Sequence, residues 1–140
     1  MEVVNLTKRY GSTTAVDDLT FSIQPGSIAG FLGPNGAGKT TTFRMLVGLA
    51  APTRGSAKVL GMAYRSITDP IHHVGAMLEV SGYHPTRTAR NHLKLLARTG
   101  GIPMDRVDEL LLLVELADAA DRPVGGFSSG MRQRLGLASA

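Results

Sequence analysis

The sequence of 140 residues contains no cysteine, which excludes disulfide bonds and thiolate metal sites. It also contains no long apolar run, because the longest, residues 110–114, is far too short to cross a bilayer. The first residues lack the apolar stretch of a signal peptide. With 43% hydrophobic residues the composition argues against intrinsic disorder, and the length predicts about one globular domain.

Strong charge of one sign is also lacking, because the formal net charge is only +4. A moderately basic chain leaves nucleic acid or an anionic membrane surface open as partners. The densest basic stretch contains Arg87, Arg90, Lys94 and Arg98 with no aromatic residue between them, which favours a solvated helix face. We therefore expect no nucleic-acid partner.

The N-terminal part of the chain has the pattern of β-structure. Leu19, Phe21 and Ile23 alternate with polar residues, as in a half-buried strand, and residues 3–6 suggest an earlier strand. Residues 28–32 are nearly all apolar, which predicts a strand covered on both faces.

Helices and short strands are predicted beyond this point. Apolar residues at helical spacing predict a helix over residues 40–50, and short strands are expected at 57–60 and 74–78. After residue 80 three helices are predicted, the first N-capped by Thr88 and stopped by Gly100. The second follows Pro103, and the third starts near Gly130.

A phosphate-binding motif follows the predicted strand at residues 28–32. It fits the pattern G-x-x-x-x-G-K-[ST] and consists of Gly33, Pro34, Asn35, Gly36, Ala37, Gly38, Lys39 and Thr40. Glycines let the backbone N–H groups point inward at an anion, and the following helix adds the positive end of its dipole. Lys39 is the expected contact of the β- and γ-phosphates, and the Thr40 hydroxyl is a candidate Mg²⁺ ligand.

Two segments together resemble the nucleotide-binding subunit of ATP-binding cassette (ABC) transporters. Residues 33–41 read GPNGAGKTT and residues 127–136 read FSSGMRQRLG, and the chain is most similar to the bacterial multidrug and antibiotic exporter branch. The resemblance implies an α/β fold of the P-loop NTPase class, with a RecA-like core, an N-terminal β subdomain and a helical subdomain. It implies that residues 1–79 form the β subdomain and the phosphate-loop part of the core, and residues 80–140 the helical subdomain.

The resemblance also implies binding roles for residues of the first part. Tyr10 falls where the family has an aromatic that stacks on adenine, and residues 33–41, which include Thr41, would hold the triphosphate of ATP and Mg²⁺. Glu79 falls where many members have a Gln that contacts Mg²⁺ and water, so Thr40 and Glu79 are the candidate metal ligands. A Glu is a departure that still permits ligation of a hard cation.

The second segment falls where the family has its L-S-G-G-Q signature. Ser128, Ser129 and Gly130 would contact the γ-phosphate bound by the opposite protomer. Here Ser129 replaces a Gly and Met131 replaces the Gln, which removes a side-chain hydrogen bond at that position. The helix start still offers hydroxyls and N–H groups to an anion.

In the family an apolar strand ending in Asp-Glu and a switch His follow the signature helix. Neither occurs in these 140 residues, so the chain is expected to be an N-terminal portion that binds ATP weakly and is inactive alone. Residues 111–115 look like such a strand but are predicted to be helical, because they are Leu-rich and continue an acid-rich helix start. The histidines show no metal-ligand spacing and are expected at the surface or in loops: His72, His73, His84 and His92.

These patterns favour the ATP-binding, energy-coupling subunit of an ABC-type export complex. The implied partners are ATP, a second nucleotide-binding subunit in a head-to-tail dimer, and a transmembrane permease contacted by residues 81–123. The implied location is cytoplasmic and peripheral, on the inner face of the cell membrane. The alternatives are a non-catalytic nucleotide-binding module and another P-loop enzyme such as a kinase.

Overall fold

The computed structural model describes residues 1–78 and 82–140, which fall into two units, Met1–Pro70 and Ile71–Ala140. The first unit contains a three-stranded sheet and one α-helix, and the described residues of the second contain three α-helices. The predicted domain division between residues 79 and 80 stays a prediction.

The sheet of the first unit is antiparallel, with β1 (Glu2–Tyr10) between β2 (Thr13–Ser22) and β3 (Arg54–Lys58). Strands β1 and β2 form a hairpin in which Tyr10 pairs with Thr13. Residues 3–6 and 19–23 were predicted to lie in strands, and most of each range falls within β1 and β2. The buried apolar residues of the two strands are Val3, Leu6 and Val16.

Helix α1 (Lys39–Leu46) follows the phosphate-binding motif and buries Met45 and Leu46. It ends four residues earlier than predicted. Gly48 adopts a left-handed conformation with φ of 71°, and the N–H of Leu49 bonds to the Arg44 carbonyl at 2.8 Å, which closes the last turn.

Residues 28–32 do not form the predicted strand in the part of the chain that the structure describes. The side chain of Ile28 is fully exposed and that of Leu32 is 92% exposed. A strand of this kind needs a paired neighbour and covering layers on both faces, and the sheet formed by the described residues offers neither to it. Residues 74–78, within the described region, likewise lack the predicted strand.

The second unit contains α2 (Ala89–Gly100), α3 (Asp105–Leu113) and α4 (Ser129–Ala138). All three helices were predicted. The Thr88 hydroxyl caps α2 by accepting a bond from the Asn91 N–H at 3.2 Å, and Gly101 ends it with φ of 65°. Residues 111–113 are helical, so the prediction against a metal-binding strand there is confirmed.

One apolar core holds these three helices together. Helix α3 contributes Leu111, helix α4 contributes Leu135, and Leu116 and Phe127 pack from the connecting segment. Burial of a large apolar side chain contributes on the order of 1.5–3 kcal/mol each, which makes this core the main source of stability in the unit.

Two side chains of α2 lie in surroundings that the sequence analysis did not predict. Arg90 is partly exposed, and it contacts the exposed carboxylates of Asp108 and Asp121 rather than solvent alone. The expectation of a surface position is wrong for His92, which is buried with its ring edge-on to Tyr83, 4.9 Å between centroids. Its Nδ1 has no hydrogen-bond partner among the described residues.

Burial lowers the pKa of His92 below its usual value, and the charge of Arg87 lowers it further. Near pH 6.5 His92 becomes protonated in the unfolded chain but stays neutral in the folded one. The free energy of unfolding therefore falls as the pH drops below about 6.5. We expect His92→Phe, which keeps an aromatic ring against Tyr83, to lose less stability between pH 7.5 and 5.5. Urea unfolding at both pH values measures this. The free energies of unfolding of the variant and the parent should diverge by no more than about 1.4 kcal/mol per pH unit.

The matched control is His73→Gln, at an exposed position. It should follow the parent protein through the same pH range. Equal acid sensitivity of His92→Phe and the parent would show that His92 does not carry this pH dependence.

Candidate functional site

The phosphate-binding motif forms a tight loop that leads directly into α1. Gly36 and Gly38 have φ of 84° and 81°, a region that only glycine enters without strain. The N–H of Ala37 donates to the Pro34 carbonyl at 3.3 Å, which folds the loop back on itself. Left-handed glycines that alternate with other residues let backbone N–H groups turn toward a common centre, as an anion site requires.

Gly38 is also where the loop touches the sheet. A Cβ placed on Gly38 would lie 2.2 Å from the carbonyl oxygen of Ala15 and 2.9 Å from a methyl of Val16, both on β2. No side chain fits in this space. The glycine is therefore required twice, by its backbone conformation and by the close approach of β2.

The Lys39 ammonium lies over the loop. Its Nζ donates to the carbonyl oxygens of Gly33 and Pro34, both at 2.7 Å. These two bonds hold the positive charge beside the loop rather than out in solvent. A lysine ammonium has three protons, so the geometry leaves donor capacity for an anion in the loop.

The first turn of α1 supplies further donors. The first N–H groups of any helix have no partner within it, and the dipole makes this end positive. Thr42 is buried and bonds to the Gly38 carbonyl through both its N–H and its hydroxyl, at 2.8 and 3.0 Å, whereas Thr40 is exposed. This donor set fits a phosphate group, and the Thr40 oxygen is a suitable ligand for a hard cation.

Tyr10 lies near the end of the sheet that Gly38 approaches. It pairs with Thr13 of β2. Ala15, the residue that Gly38 approaches, follows Thr13 by two residues, which is about 7 Å along the strand. Tyr10 is 50% exposed, and the Lys8 ammonium lies 4.8 Å from the centroid of its ring. Lys8 therefore covers one face of the ring, and its role was not recognised in the sequence.

The predicted signature residues lie at the start of α4, in the second unit. Ser128 is the N-cap, and its hydroxyl accepts a bond from the Met131 N–H at 3.2 Å. Ser129 and Gly130 are exposed, and nothing approaches within 4 Å of a Cβ built on Gly130. The helix start is thus open to a ligand.

Arg132 is a second residue that the sequence analysis missed. Its guanidinium bonds to the Phe127 carbonyl at 2.5 Å and lies 3.4 Å from the Ser129 hydroxyl. The Ser129 hydroxyl, which departs from the family pattern, thus has a cationic partner on the same helix. Glu79 lies outside the described residues, so its predicted role stays a prediction.

Among the described residues no group of three or more His, Asp or Glu side chains is placed to hold a metal ion. None of the described helices is long and apolar enough to cross a membrane.

Comparison with known proteins decides the family. The sequence profile of the ABC transporter family matches residues 16–140. The chain belongs to the ABC transporter family. It is 42% identical to the bacitracin transport ATP-binding protein BcrA of Bacillus licheniformis, with 100% of this chain and 46% of the relative covered. It is 39% identical to the Nod factor export ATP-binding protein I of Ralstonia nicotianae, with 99% and 44% covered.

A solved structure supports the same assignment. The chain is similar to a protein described as the ATP-binding subunit of an ABC transporter, with a TM-score of 0.82 and 27% identity. The match covers 99% of this chain and 60% of that protein. The predicted α/β fold class of a P-loop NTPase is therefore confirmed. The chain spans about half the length of the curated relatives it matches.

The contact between Gly38 and β2 generates a prediction. We expect Gly38→Ala to destabilise the first unit by clearly more than Gly36→Ala, because a Cβ at Gly36 meets nothing within 4 Å. A left-handed alanine alone costs about 1–2 kcal/mol, and the contact with Ala15 adds to this only at Gly38. Urea unfolding of the two variants measures the difference, and equal losses would contradict the close approach.

Proposed function

We propose that the chain is the ATP-binding region of an energy-coupling ATPase subunit in an ABC-type export complex. The observation that carries this proposal is the phosphate loop itself. Gly38 is packed against β2, Lys39 lies over the loop, and α1 starts with its positive end toward the same place. These features occur in a chain of the ABC transporter family.

In this proposal the loop binds the triphosphate of ATP. Hydrolysis of its phosphoanhydride bond would supply the energy for export. The N–H groups of Gly36 and Gly38 face the phosphate oxygens. Lys39 exchanges at least one of its two loop carbonyls for a phosphate oxygen, so that its charge is neutralised by the ligand rather than by the loop. Thr40 provides a hydroxyl to Mg²⁺, and Glu79 is the proposed second protein ligand.

Tyr10 is the proposed platform for the adenine ring. It is half-exposed, and the strand pairing places it near the loop end of β2. Because Lys8 occupies one face of the ring, adenine stacks on the other. Lys8 itself is held by the Ala51 carbonyl at 2.7 Å, so this arrangement is fixed before the nucleotide arrives.

The start of α4 is proposed to serve a second copy of the subunit. Ser128, Ser129 and Gly130 present hydroxyls and N–H groups at the positive end of a helix. In a head-to-tail dimer they contact the γ-phosphate held by the other protomer. Hydrolysis then requires both subunits.

Export requires a membrane partner. We propose that residues 81–123 contact a transmembrane permease, that the region around Glu79 links this contact to the nucleotide, and that the subunit lies on the cytoplasmic face of the membrane. Relatives are named for the transport of bacitracin and the export of Nod factor, and antibiotic or multidrug export is the proposed role of the complex. The permease selects the exported compound.

The first test is the phosphate contact of Lys39. We expect Lys39→Ala to weaken ATP binding at least tenfold, because hydrogen bonds between charged groups contribute about 1.5–3 kcal/mol. Binding of adenosine should change little. Calorimetric titration with both ligands measures this. The control is Lys58→Ala, an exposed lysine of β3 in the same unit, which removes the same charge. Equal losses for ATP and adenosine would contradict the phosphate role.

A second test concerns hydrolysis. We propose that the 140 residues bind ATP but do not turn it over, because phosphoryl transfer depends on carboxylates that position Mg²⁺ and water. In the family these follow the signature helix. A steady-state phosphate-release assay on the purified 140-residue chain should show no significant rate. Turnover that Lys39→Ala abolishes would instead show that a carboxylate such as Glu79 or Glu115 suffices.

A further inference from the structure

The segment that enters α2 lies beside the segment that enters the signature helix. The N–H of Val124 donates to the Arg87 carbonyl at 2.9 Å, and that of Gly125 to the Pro85 carbonyl at 2.8 Å. A Cβ on Gly125 would lie only 2.9 Å from the Pro85 oxygen, so the two backbones are in direct contact. Backbone bonds alone therefore already join these segments.

Arg90, in the first turn of α2, adds the side-chain part of this connection. Its Nε donates to the Asp121 carboxylate at 2.9 Å, and its Nη1 donates to the Asp108 carboxylate. Its own N–H bonds to the Ala120 carbonyl at 2.9 Å. One residue of α2 thus holds both α3 and the chain that leads to α4.

The chemistry of this group is specific to arginine. The Arg90 side chain is 25% exposed, and the hydrogen bonds that it donates to Asp121 and then to Asp108 raise its pKa above the usual value. A planar guanidinium presents several fixed donors to two carboxylates at once, whereas a lysine ammonium is a single flexible point charge. The substitution Arg90→Lys therefore keeps the positive charge but loses the planar set of donors that contacts both carboxylates.

The residues between Asp121 and the signature include a short helical turn and a buried side chain. Val124–Gly126 forms a 3-10 turn, and Phe127 is buried in the core immediately before the cap residue Ser128. On the other side of the signature, the Tyr83 hydroxyl donates to the Arg132 carbonyl at 3.2 Å. The signature residues therefore lie between two connections to the segment that precedes and starts α2.

We propose that Arg90 is a positioning residue for the signature residues 128–130. Through Asp121 and Asp108 it fixes where the start of α4 lies in the second unit. Its consequence for ATP hydrolysis rests on the proposed function above. Because the phosphate loop belongs to the first unit, loss of Arg90 lowers the rate of the chemical step in the dimer and leaves the ATP affinity of the single subunit unchanged.

Amide hydrogen exchange of the chain, followed by mass spectrometry, tests the structural part without any nucleotide. In Arg90→Ala, peptides that cover residues 123–131 should exchange about tenfold faster, since hydrogen bonds to charged groups contribute at least that factor. Peptides from the end of α2 should keep their parent rates. Asp121→Asn should give the same local pattern, and Arg90→Lys an intermediate one that remains measurable if the alanine variant unfolds.

The matched control is Arg106→Ala, which removes an exposed ion pair with Glu109 in the same unit. It should leave exchange at residues 123–131 unchanged. Parent rates there in all Arg90 and Asp121 variants would overturn the proposal. A uniform increase across Ile71–Ala140 would also overturn it, because it would make Arg90 a general stabiliser.

Steady-state hydrolysis by the assembled ATPase tests the functional part. Arg90→Lys should lower kcat at least tenfold with KM for ATP within a factor of two, and Arg106→Ala should match the parent. A raised KM with unchanged kcat would overturn the positioning role. Absence of hydrolysis in the parent assembly would count against the proposed function, and the exchange experiment would still decide the role of Arg90.

Discussion

The approach of Gly38 to the Ala15 carbonyl is the constraint on which the phosphate-binding motif depends. It joins the phosphate loop to the sheet at a place where no Cβ fits, and it fixes the point at which α1 begins. Lys39, the first residue of that helix, then reaches back to the Gly33 carbonyl. The direction of the helix dipole and the position of the ammonium both follow from one backbone contact.

Sequence patterns predicted the elements whose causes are local. The Thr88 cap of α2, the acid-rich start of α3 and the start of α4 are visible within a few residues, and each lies close to its predicted place. Residues 28–32 show the opposite case. Their apolar composition favours a strand, but a strand needs neighbours distant in the chain, and the described residues supply none. Composition alone does not reveal those neighbours.

The candidate site divides in the same way. The glycines and Lys39 were predicted because the motif itself encodes their conformation and chemistry. The roles of Lys8, Arg90 and Arg132 were not recognised. Each depends on a contact in the folded chain that cannot be predicted from sequence spacing. Arg90 is the clearest example. It resembles one member of a basic helix face, and only the folded unit shows it between two carboxylates from other segments.

The bare side chains of Ile28 and Leu32 have a consequence for the choice of solvent. Sulfate and phosphate salts are excluded from protein surfaces and strengthen the association of apolar groups, so both ions favour self-association through this stretch. The same anions match the chemistry of the loop that begins one residue later, at Gly33. If the loop binds ATP as proposed, a phosphate buffer acts on this short region twice: it promotes contact between copies, and it competes with ATP for the backbone donors of the loop.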